Sequence, residues 1–489
     1  MIGIGVGLKF GSGYFTPFRT RVTETQPRVS SKTLYTGTVR YVDPSNSTGA
    51  ANNANAGTNP ALPKLTVTSA YSASSDGDII QLLSNWNIGS EAGGYWLANT
   101  ANKGVLVRGT IGNPAAITAT ISGTPTYIIR MRDTNKLQFQ SITFSHNTTK
   151  ELMYIECDSP TTNVTKWAIF KDCVFDFQNA SVSNPSLIRP IAITTSGTGD
   201  IFFEMNGCTF TTTKGTGYTW FGTSGLPTTA TYLITGCTFN STGFATFSSG
   251  DTNKAKYCLY DNTINQSAGG TVLSFSSDTS APTNLGQIVD LRGNTITVAE
   301  TYDPHGILLG RGTDSVYCVN NNVTIPTNSS SLAIGFVIKT RSTNVGDSYI
   351  AGNYCVAPRP YYIKGGSKVT LTYNSGIANY STRAGLDVDN PVEADAPTGI
   401  LSTLNVINNN NFIGYYSGII CRTTTASQNV KTSMQTWTID NNCYYGTDNL
   451  YIRDEQTNTD YLLINRTDFW SGSQDANSQM VITREIYNP

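Results

Sequence analysis

The chain has 489 residues, a formal net charge of −1 and 13% charged residues, which is about half the share usual in globular proteins. This balance gives no general attraction to nucleic acid or to an anionic membrane, and no apolar stretch reaches the ~18 residues of a membrane-spanning helix. Abundant Ser, Thr, Asn and Gly replace the charged residues, which favours a surface that binds sugars. With 10% aromatic residues, the chain is expected to be folded.

Residues 1–38 differ in character from the rest of the chain. Between Ile2 and Phe10, apolar residues alternate with glycine or lysine, which is the period of a β-strand with glycine on one face. The basic start, continuous apolar core and small-residue cleavage site of a signal peptide are absent. Because a glycine-faced strand lets another backbone approach closely, we predict that residues 1–38 form a leader that attaches to a partner protein by strand addition. A loosely ordered chain end is the alternative.

One short repeat fills residues 39–446. Each copy has a strand, then Asp, Gly or Asn, then Cys or Asn, then further β-forming residues, at a spacing of roughly 21 to 36 residues. A unit this short cannot bury its apolar face alone, so successive copies must stack. Asp, Gly and Asn tolerate a left-handed backbone, which predicts one tight corner per coil. We therefore predict an all-β parallel β-helix. The corner pairs are Asp172-Cys173, Gly207-Cys208, Gly236-Cys237, Asp261-Asn262, Gly293-Asn294, Asn321-Asn322, Gly352-Asn353, Tyr373-Asn374, Asn409-Asn410 and Asn441-Asn442.

The nine cysteines are predicted to be reduced and structural. Cys173, Cys208 and Cys237 occupy equivalent repeat positions, and Cys355 and Cys443 fall close to the same corner. Free cysteine behaves as a small buried hydrophobe, and the odd count without C-x-x-C pairs argues against a disulfide framework or a zinc site. We expect an interior stack of thiols.

Both ends of the repeat region resemble the pectate-lyase-like right-handed parallel β-helix family. The matching segments are Val39-Arg40-Tyr41-Val42-Asp43-Pro44-Ser45-Asn46, Asn59-Pro60, Pro63-Lys64-Leu65 and Ser75-Asp76-Gly77-Asp78-Ile79-Ile80-Gln81-Leu82 at the start, and Asn441-Asn442-Cys443-Tyr444-Tyr445, Phe469-Trp470 and Gln474-Asp475-Ala476-Asn477-Ser478 at the end. The resemblance implies a single-stranded right-handed solenoid over residues 39–446, a short capping helix before the first full coil, and a C-terminal cap over residues 447–489. Many such proteins are enzymes acting on acidic polysaccharides, while others only bind them.

The leader carries a second resemblance. Its glycine-alternating start with Met1 retained is similar to the N-termini of tail proteins of Bacteroidetes phages. Tailspikes and tail fibres often carry parallel β-helices behind such leaders. The resemblance implies a phage virion protein that binds other virion proteins through residues 1–38 and forms a homotrimer about a threefold axis.

A column of basic residues is the best ligand-site hypothesis. Aligning the apolar strand cores places Lys339, Lys364 and Arg422 at one level of successive or near-successive coils, with Arg341 and Lys368 close by. Adjacent coils are about 4.8 Å apart, and a column of like charges at that distance is unfavourable unless anions bind it. We therefore predict an acidic glycan, of the kind found on bacterial surfaces, as the ligand. A solvated basic edge is the alternative.

The same basic residues suit a polysaccharide lyase. Such an enzyme needs a cation to neutralise the uronate carboxylate and a base of lowered pKa. We assign Lys339 as the base and Arg341 or Lys364 as the carboxylate clamp. His305 opens a coil near the column and is a candidate acid or sugar ligand, although a corner histidine without a catalytic role is the alternative.

Aromatic side chains are candidates for stacking on sugar rings. Tyr361 and Tyr362 lie closest in sequence to the basic column. Packing against the neighbouring coil is the alternative for these rings. The other aromatic candidates are Trp86, Trp96 and Trp220, and His146 is the second histidine.

A glycoside hydrolase would instead need two carboxylates, ~5–5.5 Å apart for retention or ~6.5–9.5 Å for inversion. Asp172 and Asp261 are assigned to corner geometry. The remaining pairs are Glu156 with Asp158 and Asp387 with Asp389. Each pair shares a face if it lies on a strand, and loop carboxylates or a Ca²⁺ site are the alternatives. No cofactor is required by these interpretations.

Three functions remain open. The first is a tailspike or tail-fibre protein of a phage virion that binds, with or without cleaving, bacterial surface polysaccharide. The second is a free, extracellular polysaccharide lyase. The third is a purely structural decoration of the virion that binds no glycan. The absent export signal and the glycine-alternating leader favour the first.

Overall fold

Every coil of the chain contributes one strand to each of three faces, and the strands of successive coils pair in parallel. The predicted single-stranded right-handed parallel β-helix is confirmed. The computed structural model describes residues 20–100, 103–121, 127–132, 136–146, 151–156, 166–177, 186–191, 201–212, 219–221, 230–241, 247–248, 255–266, 270–275, 287–298, 304–310, 313–326, 332–339, 347–364, 368–389, 405–414, 416–422, 430–445, 450–455, 457–462, 466–470 and 475–480.

Sheets 1 and 2 have fourteen strands each. Sheet 1 consists of Val39–Val42, Asp78–Leu82, Gly104–Arg108, Lys136–Gln140, Lys166–Lys171, Ile201–Asn206, Ala230–Thr235, Ala255–Tyr260, Gln287–Arg292, Thr313–Val319, Ser348–Ala351, Val369–Thr372, Val406–Asn408 and Thr438–Asp440. Sheet 2 consists of Trp86–Asn87, Thr118–Ile121, Thr143–His146, Val174–Phe177, Thr209–Thr212, Thr238–Ser241, Thr263–Gln266, Thr295–Val298, Asn322–Thr324, Tyr354–Ala357, Ser375–Ala378, Asn411–Ile413, Cys443–Tyr445 and Gln479–Met480.

The third face, called sheet 3, has a five-stranded part followed by a nine-stranded part. The first part consists of Trp96–Ala98, Tyr127–Met131, Glu151–Glu156, Ser186–Ile191 and Thr219–Phe221. The second part consists of Phe247–Ser248, Thr271–Phe275, His305–Leu309, Ile334–Ile338, Arg359–Ile363, Leu386–Asp389, Ile419–Arg422, Leu450–Asp454 and Thr459–Leu462. The last two strands are antiparallel, so a hairpin closes this face at the C-terminal end.

The corner between sheets 1 and 2 has the backbone that the repeat predicts, but the predicted pair Asn321-Asn322 is wrong by one residue. The positive φ falls on Asn320, and Asn321 is the buried residue that follows it. From the coil of Lys136–Gln140 onwards, one residue per coil has a φ between 51° and 66°, a region that glycine, Asn and Asp enter at the lowest cost. Asp172 and Asp261 both lie at this position and are turn residues, as expected. The corner residues are Ser141, Asp172, Gly207, Gly236, Asp261, Gly293, Asn320, Gly352, Tyr373, Asn409 and Asn441.

The residue after each corner points into the core and forms a continuous stack. The N-terminal coils carry the buried thiols of Cys173, Cys208 and Cys237, which confirms the predicted stack for these three. Cys355 and Cys443 do not join it, because they lie on sheet 2 strands and asparagine occupies the corner position of their coils. The later coils carry seven buried asparagines, namely Asn262, Asn294, Asn321, Asn353, Asn374, Asn410 and Asn442. The side-chain amide of each of the first six donates to the Oδ1 of the next over 2.8 to 3.1 Å, and we call this array the asparagine ladder.

The predicted capping helix is Val67–Ala73. Thr66 caps it by accepting from the Ser69 amide, as N-cap threonines do. The buried carboxylate of Glu91 accepts from the amides of Val67 and Thr68, which satisfies two further free amides of the first turn. The remaining helices are the α-helices Val430–Met434 and Arg466–Phe469 and the 3₁₀ helices Ile88–Ser90 and Pro114–Ala116. No helix of the described ranges is long and apolar enough to cross a bilayer.

Residues 20–38 lie on the outer face of sheet 1, and we call them the strap. The strap runs along the solenoid axis against the order of the coils, because its C-terminal end lies beside the first coils and its N-terminal end beside much later ones. The Val22 amide, for example, donates to Asn320 Oδ1 over 2.9 Å. The prediction that the leader binds a partner remains a prediction, and residues 1–19 lie outside the described residues.

Candidate functional site

The candidate site lies on the outer face of sheet 3, where strand register brings distant cations together. The amide of Lys339 donates to the Leu309 carbonyl, and that of Lys364 donates to the Ile338 carbonyl, both over 2.8 Å. Lys339 and Lys364 therefore occupy the same level of successive coils, as the sequence alignment predicted.

Arg422 does not follow Lys364 directly. Ile363 pairs with Val388 and Asp389 pairs with Arg422, so Asp389 occupies the intervening coil at the same level. Glu455 follows on the next coil, since its amide donates to the Cys421 carbonyl. The predicted basic column is therefore interrupted by carboxylates, which reduces the repulsion between its cations.

A buried ion cluster forms beside this column. Asp387 is fully buried, and its Oδ2 lies 3.0 Å from Arg422 Nε and 3.6 Å from Arg359 Nε. Arg422 also reaches the carboxylate of Glu455 over 2.9 Å. One buried carboxylate thus holds two guanidinium groups from different coils.

Asp389 is held by a separate contact. The Tyr362 hydroxyl donates to Asp389 Oδ2 over 2.6 Å. Burial, followed by the charge of Asp389, raises the pKa of Tyr362, so its hydroxyl remains a donor. Asp387 and Asp389 lie on one strand, Leu386–Asp389, and both are buried, so the shared-face prediction for this pair is correct.

The cluster has an excess of guanidinium donors. Within the described part of the chain, Arg359 Nε, Arg383 Nε and Arg422 Nη2 are buried without a hydrogen-bond partner, and so is Asp387 Oδ1. Burial first, then the charges of Arg359 and Arg422, lowers the pKa of Arg383 to about 10. Buried donors without partners cost roughly 1–3 kcal/mol each, so an oxyanion placed among them would be stabilised.

The pKa values of the other two arginines shift in opposite directions. Burial lowers the pKa of Arg359, and the neighbouring Asp387 only partly offsets that effect. Burial also acts against the charge of Arg422, but the carboxylates of Asp387 and Glu455 outweigh it and the pKa of Arg422 is raised. Arg359 and Arg383 are therefore the two cations whose buried charge is least offset by neighbouring carboxylates.

Other predicted site residues lie elsewhere. His305 begins the strand His305–Leu309, whereas Lys339 follows the end of the next strand, so about 16 Å of strand separate their levels. His305 Nδ1 lies 3.4 Å from the Thr271 hydroxyl. Lys368 is exposed at the start of a sheet 1 strand and pairs with Asp347 over 2.8 Å. The structure therefore does not bring His305 to the predicted base.

The two predicted stacking tyrosines face opposite sides of sheet 3. Tyr361 is fully buried in the core and stacks on Phe336 at a centroid distance of 5.0 Å, so the sugar-stacking prediction for Tyr361 is wrong. Tyr362 lies on the outer face but is only 7% exposed. Trp86 and Trp96 are fully buried in the core as well. Arg341, Asp158 and the side chains of Glu156, His146 and Trp220 lie outside the described residues.

Sequence reasoning missed Arg359 and Arg383. Arg359 lies two residues before the aligned strand core that begins at Tyr361, and it pairs with Ile334 of the previous coil. Extending the same alignment towards the N-terminus would therefore have placed Arg359 on this face. Arg383 lies between strands and gives no periodic signal.

Among the described residues, no three His, Cys, Asp or Glu side chains come together as a group that could hold a metal ion.

Comparison with known proteins identifies no family. No family model and no curated protein matches the chain. Among solved structures, the crystal structure of a GH136 lacto-N-biosidase from Eubacterium ramulus aligns with a TM-score of 0.35 and 9% sequence identity, covering 76% of this chain and 67% of that one. A likeness at this level assigns neither a family nor an activity to this protein.

Proposed function

We propose that this protein binds an acidic polysaccharide of the bacterial surface through the outer face of sheet 3, as a tailspike or tail-fibre protein of a phage virion. The observation that carries the proposal is that Arg359, Arg383 and Arg422, which are partly or fully buried, each have one buried guanidinium nitrogen without a hydrogen-bond partner in the described part of the chain. Guanidinium groups bind carboxylates through charge-assisted hydrogen bonds.

The charge balance of this face favours an anion. The cations of the column and the ion cluster are Lys339, Lys364, Arg359, Arg383 and Arg422, and their carboxylates are Asp387, Asp389 and Glu455. Five cations against three carboxylates leave a local net charge of +2, although the whole chain has −1. The excess is therefore concentrated on one face of a nearly neutral molecule.

The geometry suits a chain-like ligand. From the level of Lys339 to that of Glu455 the face extends over four coil intervals, or about 19 Å along the axis. A polymer lying parallel to the axis would contact several coils at once, with its carboxylates at the coils that carry Lys339, Lys364 and Arg422. A small anion would use only one coil and would gain no advantage from the repeat.

The virion assignment is supported by the sequence resemblance of residues 1–38 and by the solenoid itself. In this proposal residues 1–38 attach the protein to other virion proteins, and three copies assemble about a threefold axis. Co-sedimentation of the protein with purified phage particles tests this part, and light scattering of the purified chain measures its mass. Absence from particles, or a monomeric mass, would reject the corresponding part.

Calorimetric titration with polygalacturonate, and with neutral dextran as the comparison, tests glycan binding. We expect polygalacturonate alone to bind, with an affinity that falls as salt rises. Lys339→Ala with Lys364→Ala should weaken binding about tenfold or more, if each lost ion contact contributes roughly 1 kcal/mol. Lys171→Ala, at the end of a distant sheet 1 strand, is the matched control and should bind like the wild type.

Arg383→Gln separates binding from folding. Because burial and, to a smaller extent, repulsion by Arg359 and Arg422 disfavour the charge of Arg383, its loss should leave the unfolding midpoint unchanged or raised while polygalacturonate affinity falls. Unchanged affinity in both the lysine and Arg383 variants would reject the site. Absorbance of unsaturated products during the same incubation distinguishes a lyase from a protein that only binds. If the protein binds no acidic glycan, a purely structural role in the virion is the remaining function.

A further inference from the structure

The strap is held in place by one buried arginine of the solenoid. Arg292 is fully buried, and its guanidinium donates to the main-chain carbonyls of Gln26 over 2.6 Å and Pro27 over 3.3 Å. The same group binds the carboxylate of Glu24 over 3.0 Å. A single side chain thus contacts the strap at three successive points.

Two tyrosines of the solenoid bind main-chain amides on either side of these contacts. The Thr25 amide donates to the Tyr317 hydroxyl over 2.9 Å. The Val29 amide donates to the Tyr260 hydroxyl over 3.2 Å. Together with Arg292, these hydroxyls bind four main-chain groups between residues 25 and 29, so recognition of this segment depends mainly on its extended backbone.

The solenoid side of this contact is organised by its own residues. Asp290 holds the guanidinium of Arg292 through two hydrogen bonds of 2.6 and 2.7 Å, and the Tyr260 hydroxyl donates to Asp290 over 2.8 Å. The Arg292 guanidinium also lies over the rings of Tyr260 and Tyr317, 5.3 and 4.5 Å from their centroids. Asp290 and the two tyrosine rings therefore orient the Arg292 guanidinium without any contribution from the strap.

Apolar contacts flank the arginine. Val29 packs on a cluster formed by Phe202, Leu233, Cys258 and Tyr260, and Val22 packs on a second cluster formed by Tyr317, Val319 and Ala351. Arg28 adds an ion pair with Asp261. The strap therefore covers apolar surface that a bare sheet 1 would expose to water.

We propose that the outer face of sheet 1 is a binding groove for an extended peptide, centred on Arg292. Residues 24–29 of the same chain fill this groove, and the same segment of a second copy can fill it when the resident segment is displaced. The site differs from the glycan face in location and in ligand, because it lies on sheet 1 and binds main-chain amides and carbonyls.

Proline substitutions test main-chain recognition directly, since proline has no N–H to donate. Thr25→Pro with Val29→Pro removes both amides that the tyrosines bind. Thr23→Pro with Ser30→Pro is the matched control, because neither of those amides has a hydrogen bond to any of the residues that the structure describes. Both pairs are introduced into the full chain and, separately, into a synthetic peptide of residues 20–38 that represents the segment of a second copy.

Hydrogen exchange of the full chain gives the first result. The strap amides of the Thr25→Pro/Val29→Pro chain should exchange faster than those of the wild type and of the control, while the amides of sheets 2 and 3 remain unchanged. Equal exchange in all three chains would overturn the proposal, because the two lost hydrogen bonds would then be dispensable. The second measurement is the binding of a fluorescently labelled wild-type peptide of residues 20–38 to the three chains.

The labelled peptide should bind the Thr25→Pro/Val29→Pro chain, whose groove is opened, and not the wild-type or control chain. The peptide that carries Thr25→Pro and Val29→Pro should bind at least about tenfold more weakly, as expected for two lost hydrogen bonds of roughly 1 kcal/mol each. The Thr23→Pro/Ser30→Pro peptide should bind like the wild-type peptide. No peptide binding by the opened chain, or equal binding by all three chains, would overturn the proposal.

Discussion

The asparagine ladder gives a stability prediction whose size follows from its contacts. Asn321 accepts the Asn294 amide and side chain over 3.0 and 2.8 Å, and donates to the Leu291 carbonyl and to Asn353 over 3.0 and 2.9 Å. Asn321→Ala leaves the buried Asn294 amide without this acceptor, at a cost of about 1–3 kcal/mol. The three other lost bonds add roughly 1 kcal/mol each, which gives about 4–6 kcal/mol in total.

Cys208→Ala is the matched control for this change. Cys208 occupies the same corner position in an earlier coil and is equally buried, but it takes no part in the ladder. Removal of one sulfur from the core should cost only about 1 kcal/mol. Denaturant unfolding followed by circular dichroism, with midpoints and slopes compared, measures both variants. Equal losses for Asn321→Ala and Cys208→Ala would refute the idea that ladder hydrogen bonds, and not packing, stabilise this corner.

Three further predictions concern buried groups. Burial raises the pKa of Asp475 from 3.8 to about 6, so its contribution to stability is complete below pH 3.8 and is lost as the pH rises through 6. Denaturant unfolding between pH 4 and 7 should show a loss of up to about 3 kcal/mol that Asp475→Asn abolishes. Asp387→Asn should lower the free energy of unfolding by roughly 3–5 kcal/mol, because two guanidinium groups lose their common anion; an unchanged unfolding midpoint would contradict this. The thiols of Cys173, Cys208 and Cys237 should react with a thiol reagent only after denaturation, whereas reaction in the native state would contradict their burial.

The fold could be predicted because its determinants are local. A left-handed corner favours Gly, Asn or Asp, and nine of the eleven described corner residues are of these types, so the repeat alone predicted both the position of Asp172 and the inward stack that begins with Cys173. The level shared by Lys339 and Lys364 followed from the same register.

The composition of the candidate site could be predicted only in part. The strand Leu386–Asp389 alternates Leu and Val with two aspartates and lacks the apolar run used for alignment, so Asp389 was not placed between Lys364 and Arg422. Nor could alternation decide which of two adjacent tyrosines faces inward, and Tyr361 was assigned to the wrong side.

The strap had no sequence signal at all. Its contacts join residues far apart in the chain, such as Lys32 with Glu204 and Val22 with Asn320. They depend on side chains that accept or donate to an extended backbone, and such contacts impose no period on the strap sequence. Only the assembled sheet shows that these groups align.

The direction of the strap sets the order of events during synthesis. Val22 leaves the ribosome 298 residues before its hydrogen-bond partner Asn320. At about 5–20 residues per second, that interval lasts roughly 15 to 60 s. The coils emerge in the order in which the strap needs them, from the neighbourhood of Gly77 towards Asn320. Within the strap, the residues synthesised first are therefore the last to reach their partners, because the coils that bind Lys32 precede those that bind Val22.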